Sequence, residues 1–133
     1  MAIDYGEKRV GMAWTDMLRI AITPLPTVET RDFETKIKDV LTDNEVGTIV
    51  FGYPLHMDGN LTKVALKVDK ICAKLAKSHP DLELAKMDEA FSSKDARIHL
   101  INLGKKKTFR EKKGNIDQAS AVLILKEYLD QNL

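Results

Sequence analysis

Apolar residues recur at every second position near the start of the chain, which is the period of a β-sheet. Three strands are predicted, at residues 2–5, 9–15 and 18–23, and the alternation is clearest at Val10, Met12 and Trp14 in the second of them. The turns between them are short, so the three strands should form an antiparallel meander, because parallel neighbours need a long crossover. Pro24 and Pro26 are expected to end this block, since proline has no N–H to donate to a ladder.

Beyond the prolines, helical spacing alternates with short apolar runs. Phe33, Ile37 and Val40 recur at helical spacing, and so do Val64, Val68, Ile71 and Leu75. The runs at 47–51 and 82–87 are predicted to be strands, with 47–51 in the interior of the sheet. Two further helices are predicted, one over 92–103 with Ser92 as its N-cap and one that follows Asn115 as its cap.

This order of elements predicts one α/β domain over residues 1–133. Its centre should be a mixed five-stranded sheet, with a three-strand antiparallel meander plus parallel strands, flanked by helices. The length of 133 residues suits a single core, and 44% hydrophobic with 31% charged residues is typical of a globular protein. A single cysteine, Cys72, excludes an internal disulfide framework and favours a reducing, cytoplasmic setting. No apolar run approaches the roughly 20 residues that span a bilayer.

Acidic residues stand at the ends of three separate apolar elements. They are Asp4 in the first strand, Asp88 and Glu89 after the last strand, and Asp117 in the first turn of the predicted final helix. Ligands bind beyond the carboxyl ends of strands in open sheets of this type. Because buried carboxylates are costly unless they are paired or bind a cation, the pattern suggests one shared site for a hard divalent metal ion.

Each acid also has a structural explanation. Asp4 could bond to nearby amides in a turn, and Asp117 could complement the dipole at a helix N-terminus. Asp88 and Glu89 could simply belong to an acidic loop; they are consecutive at a strand end, so their side chains should diverge and only one should readily approach Asp4. The metal-site hypothesis therefore depends on the three positions converging.

The segment 104–114 is rich in basic residues and leads directly into the helix that carries Asp117. It contains Lys105, Lys106, Lys107, Arg110, Lys112 and Lys113. Such a cluster attracts phosphate backbones, and Phe109 in its midst could stack on a base. Lys8 and Arg9, just after Asp4, would add positive charge at the same edge. An isolated lysine run is usually a solvated surface loop, but next to a carboxylate cluster it favours nucleic-acid binding.

Four ordered motifs resemble those of the YqgF/RuvX family, described as Holliday junction resolvases and as pre-16S rRNA nucleases. The motifs lie at residues 4–11 (DYGEKRVG), 52–59 (GYPLHMDG), 87–89 (MDE) and 116–121 (IDQASA). The resemblance spans essentially the whole chain and implies an RNase H-like fold and a bacterial cytoplasmic nuclease that uses Mg²⁺ or Mn²⁺. By motif, the catalytic and metal-binding residues would be Asp4, Glu89 and Asp117, with Asp88 as a further candidate ligand.

The chain departs from the family pattern at position 90, where Ala90 replaces the arginine that usually follows the Asp-Glu pair. This removes a guanidinium that could hold phosphate or orient a carboxylate. The leading hypothesis is a metal-dependent nuclease acting on an rRNA precursor or on branched DNA, as a monomer or a homodimer. The alternative that Ala90 favours is a nucleic-acid-binding module with weak or no catalysis. A nucleotide-binding protein with an actin-like first strand turn is a third class, but such folds need a second domain.

Overall fold

The computed structural model describes residues 1–56, 58–88 and 113–131, with the side chains of the last range described from Gln118 onward. The strands are β1 (Ala2–Tyr5), β2 (Arg9–Thr15), β3 (Ile22–Glu29), β4 (Thr48–Tyr53) and β5 (Glu83–Asp88). The helices are α1 (Phe33–Asp43), α2 (Lys63–Ser78) and α3 (Lys113–Gln131), with a 3₁₀ turn at Thr30–Asp32 before α1. The predicted helix over 92–103 lies outside the described residues. In the described ranges, no helix is long and apolar enough to cross a membrane.

The described strands form one mixed sheet in the order β3-β2-β1-β4-β5. β1 and β2 are antiparallel, as are β2 and β3, whereas β4 is parallel to both β1 and β5. The predicted five-stranded sheet, with its meander and parallel half, is therefore confirmed. The carboxyl ends of β1, β4 and β5 lie at one edge of the sheet, which we call the carboxyl edge.

The prediction for β3 was wrong in both its start and its end. The strand runs from Ile22 to Glu29 and includes Pro24 and Pro26, which were expected to terminate it. Among the described strands β3 is at the margin of the sheet, where a missing N–H need not disrupt a ladder on both sides. Between the pairs Leu25–Met12 and Val28–Val10, two residues of β3 lie opposite one residue of β2, so a bulge accommodates the second proline.

The segment predicted to start β3 is instead an exposed loop. Met17, Leu18 and Ile20 are 89%, 76% and 78% exposed, although Leu18 and Ile20 have the spacing of a strand face. The Asp16 carboxylate closes this loop by accepting hydrogen bonds from the backbone N–H groups of Ile20 (2.8 Å) and Ala21 (3.1 Å). These bonds hold the pKa of Asp16 below its usual value. The loop is therefore shaped by a local polar contact that hydropathy does not reveal.

One face of the sheet packs against α1 and α2. Ile3 and Phe51 from the strands meet Phe33 of α1 and Val68 of α2 in one buried cluster. Cys72 of α2 is buried in the same cluster, so it is a core residue. We call this side the α1–α2 face.

The opposite face packs against α3. Its cluster combines Ala2, Ala13 and Val50 from the sheet with Ala121 and Ile124 from the helix. Ala2, Ala13 and Ala121 have no exposed surface. Because their side chains are single methyl groups, the helix can approach β1 and β2 closely. We call this side the α3 face.

Helix α3 begins at Lys113, two residues before the predicted cap at Asn115. Asp117 is therefore the fifth residue of the helix and lies in its second turn, not in the first turn as predicted. The helix thus includes Gly114, a poor helix former, which is why the sequence predicted a later start. The position in the second turn argues against the dipole explanation for Asp117, because the effect of the helix dipole falls off within the first turn.

Candidate functional site

Asp4 lies on the α3 face of β1 near the carboxyl edge. Its neighbours Ile3 and Tyr5 both belong to the α1–α2 side, where the Tyr5 ring meets Phe33 edge-on with 5.6 Å between centroids. Since side chains alternate along a strand, Asp4 shares its face with Ala2, which packs beneath α3. The carboxylate is half-buried at the end of a core strand, as the sequence predicted.

Glycines stand beside Asp4 on both neighbouring strands. Gly11 is its direct partner on β2, and on β4 the residue after Phe51, the partner of Ile3, is Gly52. Both glycines are buried. Residues opposite each other on adjacent strands normally fill the space next to one another with side chains. The sheet therefore offers no side-chain bulk from these two positions around Asp4.

The backbone just after Asp4 is held in a tight turn. The N–H of Gly6 donates to the Arg9 carbonyl at 3.0 Å, and a Cβ at Gly6 would lie 2.6 Å from that oxygen. The turn therefore requires glycine. On the other side, the Thr30 hydroxyl donates to the Gly6 carbonyl at 2.7 Å and the Thr30 N–H to the Lys8 carbonyl at 3.0 Å. These bonds fix Lys8 and Arg9 at the carboxyl edge, where they were predicted.

Asp88 is the last residue of β5 and lies on the opposite face from Asp4. It pairs with Tyr53, whose hydroxyl bonds to α2, and the preceding residue Met87 packs on the α3 face. Alternation therefore directs Asp88 to the α1–α2 face, where it is exposed. Of the two consecutive acids, the register of β5 gives no support to Asp88 as a partner of Asp4.

Several predicted site residues fall outside the part of the chain whose side chains are described. These are Glu89 and the basic residues Lys105, Lys106, Lys107, Arg110, Lys112 and Lys113, together with Asp117. Within the described residues there is no group of three or more His, Cys, Asp or Glu side chains that could hold a metal ion. The metal-site hypothesis therefore remains a prediction.

The direction of α3 bears on the position of Asp117. Near the C-terminus of the helix, Leu125 and Leu129 line a cleft with Thr15 and Gly47, which lie at the edge opposite to the carboxyl edge. Ala121 lies further back along the helix, in the cluster with Ala2. Asp117 is one turn before Ala121 toward the carboxyl edge, just as Asp4 is two residues beyond Ala2. The backbone positions of the two aspartates thus approach the same edge.

An open cleft of about 510 Å³ adjoins the turn after Asp4, and we call it the basic cleft. It is lined by Glu7, Lys8, Arg9, Glu29, Thr30 and Arg31. The sequence pattern did not identify Thr30 and Arg31 as site residues, because it ended β3 before Pro24. The observed β3 continues to Glu29, opposite Arg9, and so brings both residues to the β1–β2 turn.

Comparison with known proteins gives the family of this chain. Residues 1–131 match the family model RuvX, described as "Holliday junction resolvase". The relatives named "Putative pre-16S rRNA nuclease" include the following three. The one from Prosthecochloris aestuarii is 36% identical over 99% of this chain and 93% of its own, and the one from Chlorobium phaeobacteroides 38% over 98% and 90%. The relative from Flavobacterium psychrophilum is 32% identical over 100% of this chain and 97% of its own.

The chain belongs to the RuvX family. The resemblance to this family that its four motifs indicated is thereby confirmed. A solved structure, that of a Fowlpox virus resolvase in complex with substrate Holliday junction DNA, superposes on this RuvX chain with a TM-score of 0.61. The match covers 98% of this chain and 96% of the viral one at 11% sequence identity, and it shows the fold alone. The predicted RNase H-like fold is confirmed.

On its α1–α2 face, this RuvX chain ties β4 and β5 to α2 through three polar side chains. Asp69 of α2 accepts hydrogen bonds from the Tyr53 hydroxyl (2.9 Å) and from Lys86 Nζ (2.5 Å), and Lys86 lies over the Tyr53 ring at 5.1 Å. The bond from Lys86 lowers the pKa of Asp69, and Asp69 raises the pKa of Lys86. Partial desolvation and the bond to Asp69 raise the pKa of Tyr53. These contacts hold the ends of β4 and β5 together near the carboxyl edge.

We expect Asp69→Asn to destabilise the protein at neutral pH by less than about 1 kcal/mol, because the ion pair is partly exposed. A carboxyl group whose folded pKa is lowered stabilises the fold above its unfolded pKa, about 3.9, and loses that contribution as the pH falls through the folded value. The difference between wild type and variant should therefore shrink below about pH 4. Urea denaturation across this range measures it.

A matched control is Glu34→Gln, which breaks the Lys74–Glu34 pair (3.0 Å). The side chains of that pair are 72% and 64% exposed, against 41% and 34% for Lys86 and Asp69. It should change stability less than Asp69→Asn at every pH, because solvent screens it more. If the free energies of unfolding of wild type and Asp69→Asn differ as much in acid as at pH 7, the charged carboxylate of Asp69 does not provide the stabilisation.

Proposed function

We propose that this chain is a divalent-metal-dependent nuclease that hydrolyses phosphodiester bonds. The observation that carries the proposal is the placement of Asp4 on the α3 face at the carboxyl edge, in a chain that belongs to the RuvX family. Glycines flank this aspartate, and the helix that carries Asp117 runs toward the same edge. This arrangement leaves room for a phosphate group next to the Asp4 carboxylate. Two negative groups so close together are favourable only if a cation binds between them.

The donor set fits Mg²⁺ or Mn²⁺. Asp4, Glu89 and Asp117 would supply carboxylate oxygens, which are the ligands that these hard cations prefer. Glu89 follows Asp88 directly in the sequence, and the alternation that directs Asp88 away from Asp4 favours Glu89 as the ligand. The chemistry supplied by such a bound ion is Lewis-acid stabilisation of negative charge at the reacting phosphate.

The side chains and backbone of the protein bind and orient the nucleic acid. Lys8 and Arg9, fixed by the turn at Gly6, would hold the nucleic-acid backbone next to Asp4, and the basic residues from Lys105 to Lys113 would extend this electrostatic contact. The rigid sheet keeps Asp4 at one position relative to the bound phosphate, which favours catalysis by orientation. We place this activity in the cytoplasm of a bacterial cell.

Two substrates follow from the comparisons. The names of the relatives suggest the precursor of 16S rRNA, and the description of the family model suggests a four-way DNA junction. A junction resolvase needs two paired cuts and hence a homodimer, whereas a processing nuclease can act as a monomer. The proposal covers both, because the site chemistry at the phosphate is the same.

The test is a cleavage assay with a 16S rRNA precursor, a single-stranded RNA and a four-way DNA junction. We expect cleavage of at least one of them in Mg²⁺ or Mn²⁺, loss of cleavage in EDTA and recovery when metal is added back. Gel-filtration mass measurement on the same sample separates monomer from dimer. Cleavage that continues unchanged in EDTA would rule out metal dependence.

Ala90 favours a second candidate, a nucleic-acid-binding module that does not cleave. Under that function, the chain should bind the same probes with strong salt dependence and cut none of them in either metal. Restoring the family residue with Ala90→Arg should then raise cleavage from background. If wild type already cleaves efficiently, the binding-only function is excluded.

A further inference from the structure

We propose that the basic cleft binds a backbone phosphate of the nucleic-acid strand, next to the phosphate held at Asp4, and that Arg31 is the residue that grips it. The inference rests on the proposed function, because it assigns part of the same substrate to a second position. Arg31 lies in none of the four motifs that relate the chain to its family. Its position comes from the fold alone.

Hydrogen bonds and strand pairing hold the backbone around the basic cleft. Thr30 bonds to the turn after β1 through both its hydroxyl and its N–H, to the carbonyls of Gly6 and Lys8. The pairing of Arg9 with Glu29 holds the end of β3 against β2. Arg31, the residue after Thr30, is therefore carried at a fixed distance from the β1–β2 turn. A preformed site of this kind binds an anion without the cost of ordering a loop.

The charges of the basic cleft favour an anion, and the ion pair that Arg31 makes within the cleft is weak. Lys8, Arg9 and Arg31 supply three cations, against the two carboxylates of Glu7 and Glu29. Arg31 Nε contacts Glu29 Oε2 at 2.6 Å, but the two side chains are 79% and 58% exposed. An ion pair this exposed stabilises little in water. A phosphate can therefore take one side of the Arg31 guanidinium, whose planar fork matches phosphate oxygens.

The basic cleft is also at a suitable distance from Asp4. Arg9 is two residues from Gly11, the partner of Asp4 on β2, so it lies diagonally across from Asp4 on the same α3 face. Diagonal neighbours on adjacent strands are about 7–8 Å apart. Gly6 is two residues beyond Asp4, or about 7 Å along the strand direction. A strand with one phosphate at Asp4 can thus place its next phosphates in the basic cleft.

The test measures salt-dependent binding of a fluorescent single-stranded RNA by anisotropy, with Asp4→Asn in every protein so that no cleavage occurs. Between about 50 and 200 mM salt, each phosphate contact to single-stranded nucleic acid contributes about 0.7 to the slope of log K against log salt. Arg31→Ala should therefore reduce the slope by about 0.7. Lys74→Ala is the matched control, because it also breaks an exposed ion pair with a glutamate, and it should leave the slope unchanged.

A second variant tests the competing carboxylate. Glu29→Gln frees Arg31 and adds one net positive charge, so it should raise the affinity for the RNA. An Arg31→Ala slope equal to that of Lys74→Ala, or no gain from Glu29→Gln, would overturn the proposal.

The two proposals fail in different ways. With Asp4 intact, Arg31→Ala should raise KM for cleavage and leave kcat unchanged, since Arg31 contacts a non-reacting phosphate. If wild type cleaves and Arg31→Ala has no effect on slope or KM, the basic cleft is wrong and the nuclease stands. If wild type never cleaves but Arg31→Ala lowers the slope, the nuclease is wrong and the phosphate site stands.

Discussion

Asp4→Asn should lower the rate of metal-dependent cleavage by at least about a hundredfold. The substitution keeps the size of the side chain and removes its charge, so the β1 backbone and the core around Ile3 should stay as they are. Losing a hydrogen-bonding partner of a metal ligand already costs about 10–100-fold, and losing a ligand should cost more. Single-turnover cleavage in saturating Mg²⁺ or Mn²⁺ measures the effect, and anisotropy in the same buffer should show that nucleic-acid binding survives.

Two aspartates provide controls that differ in position. Asp39 is exposed on α1, and Asp39→Asn should cleave at the wild-type rate. Asp88→Asn is the more informative variant, because Asp88 also lies at the carboxyl edge but on the α1–α2 face. It should lose far less activity than Asp4→Asn. Equal losses for Asp4→Asn and Asp88→Asn would show that face and register do not define the site.

The elements with a strong hydrophobic period were predictable from the sequence. Phe33, Ile37 and Val40 marked α1, and all three are buried. Val64, Val68, Ile71 and Leu75 marked α2; of these, Val68 and Leu75 are buried and Val64 and Ile71 are partly buried against the same core. The buried run of β4 was equally clear, since β-branched residues between glycines suit a central strand. Each of these elements buries its row of apolar side chains in the core, so the hydrophobic pattern in the sequence matches the packing in the structure.

β3 was not predictable because two local signals opposed the tertiary structure. Leu18 and Ile20 alternate like residues of a strand but are exposed. Pro24 and Pro26 are residues that usually end a strand, but here they lie within it. Whether a proline is tolerated depends on its place in the sheet, and whether an apolar pair is buried depends on what packs against it. Neither is a property of the local sequence.

Some features of the candidate site were likewise predictable from the sequence, and others were not. The position of Asp4 at the end of a core strand was visible from the first six residues, whereas the divergence of Asp88 and Glu89 stays a prediction from strand geometry, because Glu89 lies outside the described residues. The face on which Asp88 lies depended on the β4–β5 register, which the structure supplies. Arg31 was missed because its place at the β1–β2 turn depends on the true end of β3. Contacts between distant segments carried the information that the local pattern lacked.

Ala121→Leu should reduce cleavage by about a hundredfold while the protein remains folded. Ala121 is fully buried in the cluster that joins α3 to Ala2 and Ala13, and it lies one turn from Asp117. A leucine there cannot fit without moving the helix away from β1 and β2, at a cost of about 1–3 kcal/mol. A displacement of about 1 Å between catalytic groups can cost about a hundredfold in rate. Urea denaturation and single-turnover cleavage measure the two effects.

An alanine-to-leucine substitution on an exposed helix surface is the control. It adds the same side-chain bulk without displacing a helix. Ala76→Leu on α2 is exposed and should change neither stability nor cleavage appreciably, because leucine is nearly as good a helix former as alanine. Addition of Mn²⁺ gives a further readout: a metal bound to the folded state raises Tm, and this rise should be smaller in Ala121→Leu than in wild type. If Ala121→Leu loses stability but keeps full activity and the full Tm rise, α3 does not carry a metal ligand, and Asp117 has no part in the site.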